Sequence, residues 1–201
     1  MDEQGAGMSD RDRVIVLARR LFAQLGYDAT TLGMISEASG IDSQRLHELV
    51  GGKQDLYLIV LTELFAEQNT RLAEAVTAFD PEAPGNEGFH GLIDAFFDFA
   101  LEHPELPALL THRWLADAAD LKATVDERFS RPLIKGMSDT MRLTVREDLD
   151  LDLAMWTMLW SICGFINIGL TDAEGVHHDP HDRATRERFR RYLYEMIDRL
   201  L

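Results

Sequence analysis

Residues 31–53, TLGMISEASGIDSQRLHELVGGK, constrain the fold of this chain more than any other stretch. The pattern predicts two short helices joined by a tight turn. Ile35 and Ala38 lay an apolar side along the first helix, and Ser36 and Ser39 are small enough for close approach. Gly40 stands where the chain must reverse, and glycine takes positive φ without steric cost. Ile41 follows as a buried plug. Asp42 is placed to cap the second helix by accepting its free amide N–H groups. Leu46, Leu49 and Val50 form the buried stripe of that helix, Gly51-Gly52 end it, and Lys53 opens the next element. Two helices in this relation make a helix-turn-helix, whose second helix enters the major groove of DNA.

The flanking sequence supports a helical setting throughout. Val14, Leu17, Ala18, Leu21, Phe22 and Leu25 recur at helical spacing, which predicts an amphipathic helix over residues 10–25 with Gly26 just past its end. Thr31 is the cap of the motif's first helix. A long helix is expected over residues 53–78, with Leu56, Ile59, Val60 and Leu64 packed back on the head. DPEAPGNEG at residues 80–88 reads as a loop. Further helices are expected over 89–102, 105–118, 121–146, 151–170 and 183–201. Pro132 and Gly136 should kink or split the third of these. The stretch 151–170 is apolar almost all round, which means burial on several sides. There is no strand alternation and no internal repeat. The expected fold class is all-α: a disordered N-terminus (1–9), a three-helix helix-turn-helix domain (10–60) and a helical ligand-binding and dimerisation domain (61–201).

A length of 201 residues fits one large or two small domains, and 46% hydrophobic content suffices for a core. No stretch reaches about 18 uninterrupted apolar residues, so no membrane span is expected. The N-terminus MDEQGAGMSD lacks the apolar region of a secretory signal. The single cysteine, Cys163, lies in an apolar helix, which fits a buried thiol in a reducing, cytoplasmic setting. A net charge of −15 argues against non-specific nucleic-acid binding, because phosphate contacts need Lys and Arg. Residues 1–60 themselves carry six basic and nine acidic side chains.

Ala18, Phe22, Gly26-Tyr27, Thr30-Thr31, Ile35, Ala38, Gly40-Ile41, Leu46 and the KQDL at residues 53–56 together make residues 11–60 resemble the N-terminal domain of TetR-family (tetracycline-repressor-like) regulators. The remainder agrees in length and helical layout. The resemblance implies a ligand-responsive transcriptional regulator, most simply a repressor. It would bind a pseudo-palindromic double-stranded DNA operator as a homodimer and be released by a small apolar or amphipathic effector, the long helix from Lys53 carrying the change. The alternative is a relative that has lost DNA binding and acts as a ligand-binding or protein-interaction module.

On the reading helix the outward residues should be Ser43, Gln44, Arg45, His47 and Glu48. Arg can contact guanine bidentately and Gln adenine. Thr31, Ser43, His47 and Lys53 can donate to phosphate. The alternative is an ordinary solvated face. Departures from the family pattern are Gly33, where relatives often carry a basic residue; His47, where they usually have tyrosine; and Leu49-Val50, where a His-Phe pair is usual. Glu48 near the groove would repel phosphate.

In the C-terminal part Phe96, Phe99, Trp114, Phe129, Met137, Met141 and Trp160 are large and aromatic or flexible. Such residues line apolar pockets and ordinary cores alike; the family resemblance implies an effector cavity. His103 and His112 either orient a polar group of that ligand or are structural. The resemblance also implies that the last two helices pair with their copies as a four-helix bundle, with Trp156, Ile162, Phe165, Phe189, Leu193, Met196, Ile197 and Leu200 at the interface. The excess apolar surface of 151–170 supports this; a buried monomeric core is the alternative.

The loop HHDPHD at 177–182 gathers metal-binding side chain types, but a loop with Pro180 is poorly preorganised, and no metal is expected. Arg183, Arg186, Arg188, Arg190, Arg191 and Arg199, interleaved with Glu187 and Glu195, read as a salt-bridged solvated face. No nucleophile elbow, P-loop, dinucleotide fingerprint or paired-cysteine motif occurs, so neither enzyme activity nor a cofactor is expected.

Overall fold

The computed structural model describes residues 8–80, 86–142 and 149–200. Most of the expected disordered N-terminus, most of the loop at 80–88 and the end of the helix expected over 121–146 lie outside the described residues.

Helix α1 (Asp10–Ala29) starts at Ser9, whose Oγ accepts the Asp12 amide at 3.2 Å, and is interrupted at Gly26, where φ is +83°. Val14, Ala18 and Phe22 are buried as expected. Ile15, missing from the expected stripe, is buried too, and Leu25, counted in it, is exposed. α2 (Leu32–Ser39) and α3 (Ser43–Val50) are the helix-turn-helix, and α4 (Lys53–Thr77) follows. Leu56, Val60 and Leu64 of α4 leave no surface exposed, and neither does Tyr57.

The core of the head does not close at residue 60. One cluster runs from Val14, Phe22, Ile35, Leu46 and Tyr57 on to Phe65, Phe99, Leu106, Leu109 and Phe129. It is completed by α5 (Glu87–Glu102) and by α6 (Glu105–Trp114), which packs against α1. A second cluster, built on Phe97, Cys163, Phe165, Leu193 and Ile197, lies between α5, α9 (Leu151–Ile168) and α10 (Arg183–Leu200).

The helix expected over 105–118 stops at Trp114. Ala116 and Ala118 take φ of +69° and +54°, and a 3₁₀ turn at Ala119–Leu121 follows. Alanine favours helix, so the sequence LADAADL holds no stop signal; a tertiary contact at Asp117 accompanies the break. The segment from 121 is split, as expected, into a short α-helical turn α7 (Lys122–Val125), a π-helical turn (Asp126–Ser130) and α8 (Arg131–Met141). Pro132 sits in the first turn of α8, where its missing N–H has no helical partner to lose.

The expectation of no strand is corrected by an antiparallel hairpin, β1 (Leu170–Thr171) with β2 (His177–His178), in which Leu170 faces His178. Two-residue strands are too short to show alternation. By length and composition Leu151–Ile168, with mean hydropathy 1.4, is apolar enough to cross a membrane despite the polar residues that interrupt it. In this fold α9 packs on α5 and α6, with Ile162, Cys163, Phe165 and Ile166 buried. Burial pushes the Cys163 thiol up to about 12, so it stays protonated at neutral pH.

Candidate nucleic-acid interface and ligand cavities

Local rules seat α3. The Asp42 carboxylate accepts the Gln44 and Arg45 amides at 3.1 and 3.0 Å, and Thr31 Oγ1 accepts the Met34 amide at 3.2 Å to cap α2. At Gly40 φ is +69°, and its amide donates to the Ser36 carbonyl at 3.0 Å. The Ser36 hydroxyl then donates to the Ile41 carbonyl at 2.6 Å and pins the turn. Leu46 and Val50 point inward, Leu49 is half-buried, and Ser43, Gln44, Arg45, His47 and Glu48 are all exposed. Thr31 and Gly33 are exposed beside them; Ala38, expected on the inward side, is exposed as well.

The outward face is internally paired. Glu48 accepts from Arg45 Nη1 at 3.2 Å and from Gln44 Nε2 at 3.4 Å, so one carboxylate holds both candidate base readers. The Arg45–Glu48 side chains are about half exposed, and such surface pairs are worth only about 0.3–0.5 kcal/mol. Lys53 is half-buried. Its ammonium donates to the Asp28 carbonyl at 3.2 Å and lies 4.3 Å from the Tyr27 ring centroid. Of its three N–H donors, that bond uses one.

Two adjoining cavities open in the C-terminal part. The inner one has a volume of about 80 Å³ and an apolar wall that includes Phe89, Phe96, Met137, Met141, Met155 and Ile162. The outer one, about 1110 Å³, is lined by Trp114, Trp156 and Trp160 and by charged side chains. Phe96, Leu133, Ile134, Trp156 and Leu159 line both. Five basic residues (Arg113, Lys122, Arg131, Lys135, Arg142) face four acidic ones (Asp117, Asp126, Asp139, Asp152) in the outer wall, which makes it locally basic in a chain of net charge −15. Arg113 bonds Asp126 at 2.7 Å, and Lys135 bonds Asp139. Lys122 and Arg131 have no acidic partner among the described residues.

Of the sequence-predicted ligand residues, Phe96, Met137 and Met141 line the inner cavity, and Phe96, Trp114 and Trp160 the outer. Phe99, His103 and Phe129 line neither. Phe99 is fully buried beneath the His103 ring at 4.5 Å, His103 pairs with Glu67 at 3.1 Å, and Phe129 stacks on Phe65 at 5.1 Å. Those three serve the core, because helical periodicity reports burial without reporting what a residue is buried against. His112 is structural, its Nε2 meeting the Ala23 carbonyl at 3.1 Å. The charged wall (Arg113, Asp117, Lys122, Arg131) was missed, and no local pattern in LADAADLK marks it.

No family model matches the chain. It is 26% identical over 95 residues to YhgD of Bacillus subtilis, described as an uncharacterized HTH-type transcriptional regulator; the match covers 47% of this chain and 48% of that one, about half the length of each. Among solved structures, the ketosteroid transcriptional regulator KstR2 of Mycobacterium tuberculosis superposes with a TM-score of 0.72 at 20% identity, covering 96% of this chain and 95% of that one. The fatty acid degradation regulator FadR of Bacillus halodurans does so at 0.64 and 13%, covering 96% and 97%. A TetR-like transcriptional regulator of Rhodococcus sp. RHA1 does so at 0.63 and 14%, covering 93% and 92%. This chain has the TetR-like fold.

Within that fold, the expected pairing surface needs correction. Ile162, Phe165, Leu193 and Ile197 are buried in the chain's own core and are not available to a second copy. Phe189 is half-buried and stacks on Phe165 at 4.0 Å; Trp156, Met196 and Leu200 are also half-buried. The outward side of α9 presents Leu153, Trp160 and Ile168 instead, 60%, 51% and 75% exposed. α10 is clamped to α5 by Arg190, which bonds both Asp94 and Asp98. In the His-rich loop, His178 Nε2 bonds Asp172 Oδ2 at 2.8 Å, closing the hairpin. Among the described residues no three His, Cys, Asp or Glu side chains gather as a metal site.

Proposed function

We propose that this chain is a ligand-responsive transcriptional regulator that acts in the cytoplasm as a homodimer. It binds a pseudo-palindromic operator and leaves it when an amphipathic effector enters the C-terminal cavities. The observation that carries this reading is α3, a capped helix whose buried side is locked in the head and whose outward side offers Ser43, Gln44, Arg45 and His47. A helix so held matches the geometry of a major-groove reader. The exposed apolar side of α9 supports a second copy, since contiguous apolar surface marks an interaction site. A two-fold dimer would present two such helices.

The cavities support an effector with an apolar body and an acidic head group, such as a medium-chain carboxylic acid. The apolar part fits the inner wall of methionine and phenylalanine. The acid suits the locally basic outer wall, where Lys122 and Arg131 stand. The names of two proteins of similar fold, a ketosteroid regulator and a fatty acid degradation regulator, agree with an effector of that polarity.

The test is selection from a random duplex pool at low salt, with Arg45→Ala as control. Enrichment of a palindrome by the parent and not by the control supports sequence reading. A second reading is favoured by Glu48, which occupies both Gln44 and Arg45, and by the acidic balance of residues 1–60. It is a TetR-like module that works through a ligand or a protein partner without DNA. A folded, dimeric protein that enriches no sequence establishes that reading and overturns the first.

A further inference from the structure

Asp117 belongs to two places at once. With Ala116, Ala118 and Ala119 it lines the outer cavity. Its carboxylate also accepts the backbone N–H of Tyr27 at 2.7 Å and of Asp28 at 2.9 Å, at the end of α1. A helical turn that restarts after an interruption presents unpaired amides of this kind. The approach is close: a Cβ on Gly26 would stand 3.0 Å from Asp117 Oδ1. The His112 carbonyl accepts the Asp117 amide at 3.1 Å, while the His112 ring holds Ala23 of α1. On the far side Lys53, at the start of α4 and just past α3, holds the Asp28 carbonyl and covers the Tyr27 ring. A continuous line of contacts therefore runs from the cavity wall through Asp117, Tyr27 and Asp28 to the base of the reading helix.

The segment that carries Asp117 is strained. Ala116 and Ala118, on either side of it, both have positive φ, a region that any Cβ makes costly. A strained piece of chain held between two packed bodies has a second arrangement within reach, and a small displacement selects between the two.

We infer that Asp117 is the latch through which the outer cavity controls the head. A ligand that displaces residues 116–119 withdraws the carboxylate from Tyr27 and Asp28 and frees the end of α1, and the reading helix loses its fixed placement. This deepens the regulatory reading above and rests on the cavity's being a ligand site. It places the transmission at the α6–α1 junction, beside the long helix α4.

The test uses the full chain and follows amide hydrogen exchange at Tyr27 and Asp28 by NMR, with dodecanoate as the probe. Tryptophan emission reports its entry, because all three tryptophans of the chain line the outer cavity. Entry is expected to speed exchange at the two amides about tenfold or more. In Asp117→Ala the two amides exchange fast from the start, dodecanoate adds nothing, and the tryptophan response is that of the parent. A bond with only a structural role gives the tryptophan response with no change at the two amides, and that result overturns the latch. Should dodecanoate evoke no tryptophan response, the proposed ligand class fails and Ala116→Gly with Ala118→Gly decides the matter. Glycine relieves the strain and must slow exchange at Tyr27 and Asp28; unchanged or faster exchange overturns the proposal. Neither measurement uses DNA, so a chain that binds no duplex leaves both standing.

Discussion

The head and the half of the molecule built on α8 and α9 follow opposite packing rules. In the head Phe22, Ile35, Leu46, Leu56 and Tyr57 leave no exposed surface, and the rings of Phe22, Tyr27 and Tyr57 interlock with centroids 4.8 to 6.1 Å apart. What the head shows to the outside of α3 is polar. Around the cavities, Met137, Met141, Met155, Met158 and Phe96 surround space, and Leu153, Trp160 and Ile168 stay exposed. Protein interiors have few voids, so a void walled by flexible methionines is a place where a guest can be fitted by repacking. The difference teaches that the rigid half suits a partner of fixed geometry and the soft half a partner that must be accommodated. The two halves share one core cluster, so a change in one is felt in the other.

The largest effect expected from this contrast is on stability. Phe22→Ala should cost about 3–5 kcal/mol, as a large ring lost from a closed core does. Phe96→Ala, at a wall that already borders space, should cost about half of that or less, because the methionines can move in. Urea unfolding followed by far-UV circular dichroism compares the two; equal costs would mean that the soft half is packed as tightly as the head.

The head has one flaw. The Tyr57 hydroxyl is buried with no hydrogen-bond partner among the described residues, and burial pushes its pKa upward. An unpaired buried hydroxyl costs about 1–3 kcal/mol. Tyr57→Phe keeps the ring contacts and should raise the urea midpoint, by about 1 kcal/mol in stability; a loss would reveal a partner for the hydroxyl.

Smaller still is the effect of Glu48→Gln, which frees Arg45 and removes a negative charge from the reading face. Affinity for the selected duplex should rise several-fold, a change of roughly 0.5–1 kcal/mol, with the urea midpoint unmoved. No gain in fluorescence anisotropy titrations would count for the reading without DNA.

The smallest effect lies in the hairpin. Hydrogen bonds from His178 and the Val176 amide hold the Asp172 carboxyl below its usual range. A carboxyl with a depressed folded pKa contributes fully above its unfolded value of about 3.9 and loses that contribution as pH falls through the folded value. Asp172→Asn should therefore lower the melting temperature slightly at pH 7 and leave it unchanged at pH 2. A difference that persists at pH 2 would show that the side chain acts by packing instead of charge.

Much of the candidate interface was legible because its causes lie within a turn or two of chain. The Asp42 cap, the reversal at Gly40, the inward Leu46 and Val50 and the exposed Ser43, Gln44, Arg45, His47 and Glu48 all follow from short-range hydrogen bonding and helical period. Ala38 and Leu25 departed from the expected stripes because each lies at the margin of its apolar side, where the neighbour's position decides exposure. In the C-terminal part the same period found apolar residues and could not sort them. Ile162, Phe165, Leu193 and Ile197 read as pairing residues and are core; Trp156 read as a pairing residue and lines both cavities.

By itself the sequence determined the helix-turn-helix, its caps and its outward face, and the helical class of everything after it, since these rest on contacts between residues a few positions apart. Tertiary structure alone decided where α6 stops, which apolar residues enclose the cavities, and that Asp117 reaches Tyr27 and Asp28, 90 and 89 residues away in the chain. The physical reason is that helical propensity and period act along one segment. A buried carboxylate–amide contact or a shared void is settled only when distant segments compete for the same space and the same hydrogen-bond partners.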